Sequence, residues 1–274
     1  IIGALFTEDQ GGYGGAGFDI AVVFEELGRA GVVEPFLDSA VLGGGLIAAL
    51  GTEAQKTLLK QVIDGSLLLA LAHGEPASRY DLSHVETTAT VQGDEIILSG
   101  RKAVVVNAEA AGFLIVSARE DGAAMDQDGI SLFLVPADTP GLSLRGYPLL
   151  AGGRAAEVEL DHVTLPASAR LGVAGQAYLA IAERVATASV ALTAETLGAM
   201  ETATALTRDY LQTRQQFGRP IGSFQALQHR MADLLIELEQ ARSAVINVAG
   251  HLSAAPRKRD LHISAKLASC NIRV

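Results

Sequence analysis

The segment Arg214-Gln215-Gln216-Phe217-Gly218-Arg219-Pro220-Ile221-Gly222-Ser223-Phe224-Gln225 concentrates side chains able to do chemistry. A guanidinium offers a planar fork of donors matched to phosphate oxygens. A phenyl ring offers a face for an aromatic heterocycle, and glycines let backbone amides come close to a ligand. Together these groups suit a dianionic diphosphate joined to a planar base. The same letters also fit a charged helix end followed by a Gly-Pro turn, and composition by itself leaves both readings open.

Two long helical patterns must hold this segment in place. Ala177 to about Thr213 is Ala-rich and helical in period, and Phe224 to about Leu252 carries Leu227, Met231, Leu234, Leu235 and Leu238. A third pattern, which includes Cys270, starts at Asp260. Long helices joined by short turns form an antiparallel bundle.

Upstream the texture differs. Residues 1 to about 66 read as short helices joined by glycine turns, with one helix over Phe18 to Gly28 ended by that glycine. Thr52 caps another, with Gln55 as its third residue and Leu58, Leu59 and Ile63 to one side. From 67 to 167 short strand signals take over: Ser66–Ala72, Glu86–Val91, a turn at Gln92-Gly93-Asp94 into Glu95–Gly100, Lys102–Val106, Gly112–Ala118, Ile130–Val135, Leu142–Leu144 and Ala156–Leu165. Glu120–Asp128 is a polar loop. Strands with turn signals and almost no helical period predict a small β-barrel or sandwich. The expected organisation is α+β and multidomain: N-terminal helices over 1–66, a middle β-barrel-like domain over 67–167, and a helix bundle over 168–274.

Composition narrows the function. At 274 residues, 49% of them hydrophobic, the chain can bury a sizeable core in two units or one composite fold. Its formal net charge is −10, and basic residues are scattered apart from Arg257-Lys258-Arg259. Nucleic acid needs a positive face, so that partner is excluded and any anionic ligand must be held by local groups. Cys270 is the only cysteine, and His73, His84, His162, His229, His251 and His262 show no metal spacing. No apolar run reaches the roughly 20 residues of a membrane span, and no signal peptide is visible, so a cytoplasmic protein is expected. The chain opens at Ile1 and stops at Val274 inside a helical pattern, so both ends read as cut.

Helices, a β-domain and a helix pair around Arg214 resemble the acyl-CoA dehydrogenase family. Thr7-Glu8-Asp9-Gln10-Gly11-Gly12-Tyr13-Gly14-Gly15 is similar to that family's Pro-Glu-x-x-Gly-Gly turn, and a Glu-Glu-Leu-Gly helix follows it. Ala72-His73-Gly74-Glu75-Pro76 sits where the family has Thr-Glu-Pro. Asp209-Tyr210 through Gln225 matches its Tyr-x-x-x-Arg-x-Gln-Phe-Gly-x-Pro-Ile-x-x-Phe-Gln signature, the most specific of the three. Within the family, Gly43-Gly44-Gly45, Ser78-Arg79-Tyr80-Asp81-Leu82 and Gln225–Asp233 look most like the small subunit of pimeloyl-CoA dehydrogenase and its relatives in acid or steroid breakdown.

The resemblance implies FAD and α,β-dehydrogenation of an acyl-CoA thioester. A carboxylate takes the α proton, hydride passes from the β carbon to the flavin, and electrons leave to an electron-transfer flavoprotein. Carried over residue by residue, it implies that Arg214 clamps the FAD diphosphate, Gln216 adds a polar contact, Phe217 lies against the adenine end and Gln225 bonds nearby. His73 and Gly74 fall beside the flavin ring. In the family the Arg214 group reaches into a neighbouring subunit, which makes oligomerisation part of cofactor binding.

The same register also marks departures. The family threonine that meets the flavin falls at Gly74, the serine of Gly-Ser-Asp at Tyr80, and the Trp-x-Thr pair at Val104 and Val106. The family carries its catalytic glutamate either near the end of the bundle, beyond Val274 here, or at the start of the long helix, where this register gives Ala188; Glu183 and Glu195 flank that point, and helical phase is expected to place neither there. The catalytic residue stays unassigned. A retained diphosphate clamp beside a depleted flavin pocket implies the less catalytic subunit of a heteromer, α2β2 in arrangement. A non-catalytic stabilising subunit and an oxygen-using acyl-CoA oxidase-like flavoprotein are the alternatives, and the acyl chain is open. Gly12-Tyr13-Gly14-Gly15-Ala16-Gly17 fits G-x-G-x-x-G by letter but lacks the preceding strand of a dinucleotide fold, so it reads as a turn. Ser66 and Ser78 have no signalled histidine and acid to form a hydrolase triad.

Overall fold

The computed structural model describes residues 1–150 and 152–252; the pattern from Asp260, with Cys270, lies outside them. Two compact units result, one of Ile1–Gly14 with Val33–Val185, the other of Gly15–Val32 with the chain from Ala186.

The first unit opens with two 3-10 turns, Ile2–Leu5 and Glu8–Gln10. The Thr7 N–H donates to Gln10 Oε1 at 3.2 Å, and a Cβ on Gly12 would lie 2.3 Å from the Phe6 carbonyl oxygen. Close backbone approach therefore demands that glycine, as the turn reading expects. Phe36–Gly44 forms a wide π-helical turn that runs into α2 (Gly45–Leu50). A Cβ on Gly43 or Gly44 would come within 2.6 Å of Leu69 or Phe6, so the glycine run lets this turn sit close to its neighbours. The predicted cap at Thr52 is present: the Gln55 N–H donates to Thr52 Oγ1 at 3.3 Å, and the Thr52 N–H to Gln55 Oε1 at 2.8 Å. It starts α3 (Glu53–Lys56), and α4 (Leu58–Asp64) buries Leu59 and Val62.

Eight strands follow: β1 (Leu69–Ala72), β2 (Thr88–Gln92), β3 (Glu95–Val106), β4 (Phe113–Arg119), β5 (Ile130–Pro136), β6 (Leu142–Pro148), β7 (Arg154–Pro166) and β8 (Arg170–Leu171). They make one sheet in the order β6-β7-β3-β2-β4-β5-β8, with β1 parallel to β4. The terminal strands β6 and β8 do not pair with each other among the described residues. The sheet still curls around one core, in which Ile96, Leu98, Leu114, Val116, Phe133, Val158 and Val163 are buried. Apolar burial of this kind contributes roughly 25 cal/mol per Å².

Two sequence expectations change here. Glu95–Gly100 and Lys102–Val106 are one strand, not two, because β7 pairs along the whole of β3 and absorbs register shifts between Leu98 and Gly100 and between Lys102 and Val105. Such bulges bend a strand without ending it. Leu142–Leu144 likewise extends to Pro148, since β7 supplies partners that far.

The second unit is helical: α1 (Gly17–Ala30), most of α5 (Tyr178–Thr213) and α6 (Gln225–Leu252). Helix α1 does not stop at Gly28 as its sequence predicts. Gly31, at φ 66°, caps it. Gly28 serves packing instead, because a Cβ there would lie 1.9 Å from the Glu195 carbonyl oxygen, and one on Gly198 would lie 1.9 Å from that of Glu25. Two reciprocal glycines thus let the α1 and α5 backbones touch. Glu201 closes the crossing by accepting from Arg29 Nε at 3.0 Å and pairing with Arg242 at 2.7 Å. In α6, Leu238, Val245 and Val248 are buried, whereas Leu235 and Ile236 of its first half are exposed. Of the predicted apolar stripe, Leu238 alone is fully buried, because nothing among the described residues covers the beginning of that helix.

Candidate functional site

The Arg214 segment is a hairpin. Helix α5 ends at Thr213, the Arg214 N–H still donates to the Tyr210 carbonyl at 2.9 Å, and the chain then forms β9 (Gln215–Gln216) and β10 (Arg219–Pro220). Gln216 pairs with Arg219 and Gln215 with Pro220, and the Ile221 N–H donates to the Arg214 carbonyl at 2.8 Å. Phe217 and Gly218 make the two-residue turn, at φ 54° and 77°. Left-handed backbone at both positions is the turn a tight hairpin requires. Glycine takes it freely; a phenylalanine there is strained by about 1 kcal/mol.

That strained phenylalanine gains little from burial, since it is 89% exposed. Its ring meets Phe224 edge to face, centroids 6.0 Å apart, and the Arg219 guanidinium lies 4.2 Å from the centroid of the Phe224 ring. Arg214, Gln216 and Gln225 are exposed. Among the described residues no acceptor meets the Arg214 guanidinium. An unpaired fork, an amide and an exposed ring form a donor set that fits a diphosphate and a flat base. The hairpin itself was not legible in the sequence, although Phe-Gly between paired residues is a turn signal.

The other predicted positions, His73 and Gly74, lie in the first unit on the turn after β1. The Ala103 N–H donates to the Gly74 carbonyl at 2.8 Å, so the turn is fastened to β3. His73 points inward: its Nδ1 is 2.9 Å from Ser117 Oγ. Lys102 Nζ donates to Ser117 Oγ at 3.0 Å, to the His73 carbonyl at 3.3 Å and to Glu75 Oε1 at 2.6 Å. The Glu75 carboxylate also accepts from the Glu86 N–H at 2.7 Å and the Thr87 N–H at 3.0 Å. Burial, and then the Lys102 charge, push the His73 imidazole down to about 4. Burial lowers the Lys102 ammonium to about 8 against the opposing pull of Glu75. Burial pushes the Glu75 carboxyl upward, but the Lys102 charge and the hydrogen bonds it receives outweigh this and hold it below the usual carboxylate range.

Serine, lysine and histidine in mutual contact have the makings of an activated nucleophile. Ser117 and Lys102 are fully buried, however, so no substrate carbonyl can reach the hydroxyl. The cluster is an internal strut joining the 73–75 turn, β3 and β4. Sequence reading missed it because Lys102 looks like a strand-surface residue until the register puts it inside.

Just beyond Lys102 the backbone departs from strand geometry. Val104, at φ 53°, is a β-branched residue in left-handed backbone, and Asn107 follows at φ 60°. Such positions persist only where surrounding structure enforces them. Asn107 Nδ2 is buried with no hydrogen-bond partner among the described residues. Val104 is exposed and Tyr80 fully so. A Cβ on Gly74 would meet nothing nearer than the Ala103 carbonyl oxygen at 3.4 Å. Glycine is therefore not forced there by packing, and the missing hydroxyl is a chemical departure.

Ala188 is buried on α5. Glu183 pairs with Arg184 at 2.9 Å. Glu195 lies seven residues past Ala188 on an unbroken helix, displaced by about 10 Å along the axis, so it does not take that position even though it shares the face. It is half-buried, and burial pushes its carboxyl upward. No three His, Cys, Asp or Glu residues among those described could hold a metal ion, and no described helix is long and apolar enough to cross a membrane. A cavity of about 460 Å³ on β3, β6 and β7 is lined by Arg101, Arg145, Glu157 and Glu159, whose mixed charges favour neither ion sign.

Comparison with known proteins agrees with the sequence pattern. The family model for the acyl-CoA dehydrogenase middle domain matches residues 70–163, and that for the C-terminal domain matches residues 176–274. A probable acyl-CoA dehydrogenase of Bacillus subtilis, YngJ, is 32% identical over 91% of this chain and 67% of its own length. The mitochondrial isobutyryl-CoA dehydrogenase of Dictyostelium discoideum is 30% identical over 98% of this chain and 66% of its own. The chain thus spans about two thirds of the length of these relatives. Among solved structures, the butyryl-CoA dehydrogenase of Megasphaera elsdenii superposes with a TM-score of 0.87 at 28% identity, covering 98% of this chain and 71% of that one.

Proposed function

Because the chain belongs to the acyl-CoA dehydrogenase family, we propose that it serves FAD-dependent α,β-dehydrogenation of an acyl-CoA thioester as the less catalytic subunit of a heteromer. FAD, when bound, supplies the hydride acceptor. The observation that carries the reading is the hairpin: Arg214 has no acceptor among the described residues, and beside it Phe217 holds strained backbone to present an exposed ring. In this reading Arg214 and Gln216 hold the diphosphate of a flavin seated mainly in a neighbouring subunit, Phe217 covers its adenine end, and Gln225 bonds nearby. His73 acts through the buried strut that fixes Gly74, not by direct contact.

The assignment of roles rests on what these positions offer. Gly74, Val104 and Val106 offer no hydroxyl or indole to a flavin ring, and Ala188 offers no carboxylate to take the α proton. Glu195 is two helical turns from that position and does not replace it. We therefore assign base and ring pocket to a partner subunit in an α2β2 assembly, with an electron-transfer flavoprotein as the oxidant of the reduced enzyme. The absent carboxylate at Ala188 also favours a second reading, a stabilising subunit with no role in flavin binding.

Purification alone and with its partner chain separates these. The heteromer reading expects little flavin and no turnover in the lone chain, and full flavin with turnover in the complex. Full FAD loading and activity in the lone chain would refute it. An Arg214→Met complex that keeps its flavin would favour the stabilising role.

A further inference from the structure

The ladder places a second cation beside Arg214. Gln216 and Arg219 are directly opposed, so their side chains leave the same face of the hairpin. Arg214, two residues before Gln216 and joined to Ile221 by a backbone hydrogen bond, falls on that face too by strand alternation. Diagonal neighbours of this kind lie about 7–8 Å apart at Cα, within the reach of two arginine side chains toward one ligand. Arg219 is also oriented: its guanidinium stacks on Phe224 at 4.2 Å, and Phe224 is itself braced by the Phe217 ring. Stacking engages the face of a guanidinium and leaves its edge N–H groups free.

Those edge donors have no acceptor among the described residues. They differ in this from Arg29, Arg154, Arg170 and Arg242, each of which holds a carboxylate. In a chain of net charge −10, two free guanidinium groups converging on one face create a local positive field against an unfavourable background.

We propose that Arg219, oriented by Phe224, is a second diphosphate-binding residue, so that Arg214 and Arg219 together grip a dinucleotide diphosphate with one guanidinium for each negative charge. This rests on the reading that the hairpin holds FAD.

The test uses the assembled flavoprotein, stripped of flavin and titrated with FAD, with ADP and with riboflavin, the last lacking any phosphate; binding is followed by fluorescence. One charge-assisted contact contributes about 1.5–3 kcal/mol, so Arg219→Met should weaken FAD and ADP by about 10-fold or more and leave riboflavin unchanged. Arg219→Lys, which keeps the charge but not the stacked plane, should fall between, and Phe224→Leu should weaken FAD through loss of orientation. All of these side chains are at least partly exposed, so the melting temperature serves as the folding control. If Arg214→Met loses affinity while Arg219→Met binds FAD and ADP within twofold of the unaltered protein, the second-cation proposal fails and the clamp stands. If both variants bind within twofold, the FAD reading of the hairpin fails with it.

Discussion

Replacing Lys102 by methionine isolates the energetics of the buried strut. Both members of the Lys102–Glu75 pair are inside, at 0% and 3% side-chain exposure, with Nζ and Oε1 2.6 Å apart. Removing one partner of a buried pair costs about 3–5 kcal/mol, because the survivor is left charged without compensation. Glu75 keeps its two N–H donors from Glu86 and Thr87, which places this case at the lower end. A ceiling follows from titration: the abandoned carboxyl can take up a proton. From its ordinary value of 4.5, doing so at pH 7 costs about 3.4 kcal/mol and at pH 5 about 0.7 kcal/mol. Lys102→Met should therefore destabilise the protein by about 3 kcal/mol at pH 7 and by much less at pH 5. Glu75→Gln should show the opposite trend: it strands an ammonium whose ordinary value is 10.5, so its cost shrinks as pH rises. The double variant should recover most of the loss, since neither charge remains. Urea unfolding at pH 5, 7 and 8.5 measures all three. A Lys102→Met effect that is the same at pH 5 and pH 7 would refute the picture of a dry, charged pair.

Two further outcomes follow from packing and titration. Gly198→Ala puts a Cβ 1.9 Å from the Glu25 carbonyl oxygen and should cost at least 1–3 kcal/mol, read as a lower urea midpoint; an unchanged midpoint would mean that α1 and α5 do not touch there. His73 is held near 4 in the fold against 6.5 when free, so the unfolded chain binds the extra proton between those values, and stability should fall by on the order of 3 kcal/mol as pH drops from 6.5 to 4. Asp38, raised to about 6 by burial, contributes in the opposite sense below pH 6, so His73→Gln should remove the loss and uncover a gain in stability on acidification.

Part of this architecture could be read from the residues because its causes are local. A capping pair at Thr52 and Gln55, alternation in β2, the apolar run of β4, and helical period in α5 and α6 depend on neighbours a few residues away, and each of these elements stands within a few residues of where its pattern predicts it. The residue signature from Tyr210 to Gln225 carries the family resemblance by type and spacing alone. Gly28 shows where that legibility ends: a glycine after a helical run signals a stop, yet here it answers to Glu195, which lies far along the chain.

The candidate site divides along the same line. Arg214, Gln216 and Phe217 could be picked out by type and spacing. That Arg214 and Arg219 share a face, that Phe224 orients one of them, and that Phe217 is strained follow only from the ladder register and the turn it imposes. Lys102, Ser117 and the His73–Glu75 turn come from three places in the chain, and no local pattern marks them as a unit. Their union is decided by strand pairing, which turns a lysine in an apolar run inward and leaves it a carboxylate, a hydroxyl and a carbonyl as its only solvent. Sequence determines which groups exist and which short elements carry them; tertiary structure determines which of them are dry, because burial depends on what every other part of the chain covers.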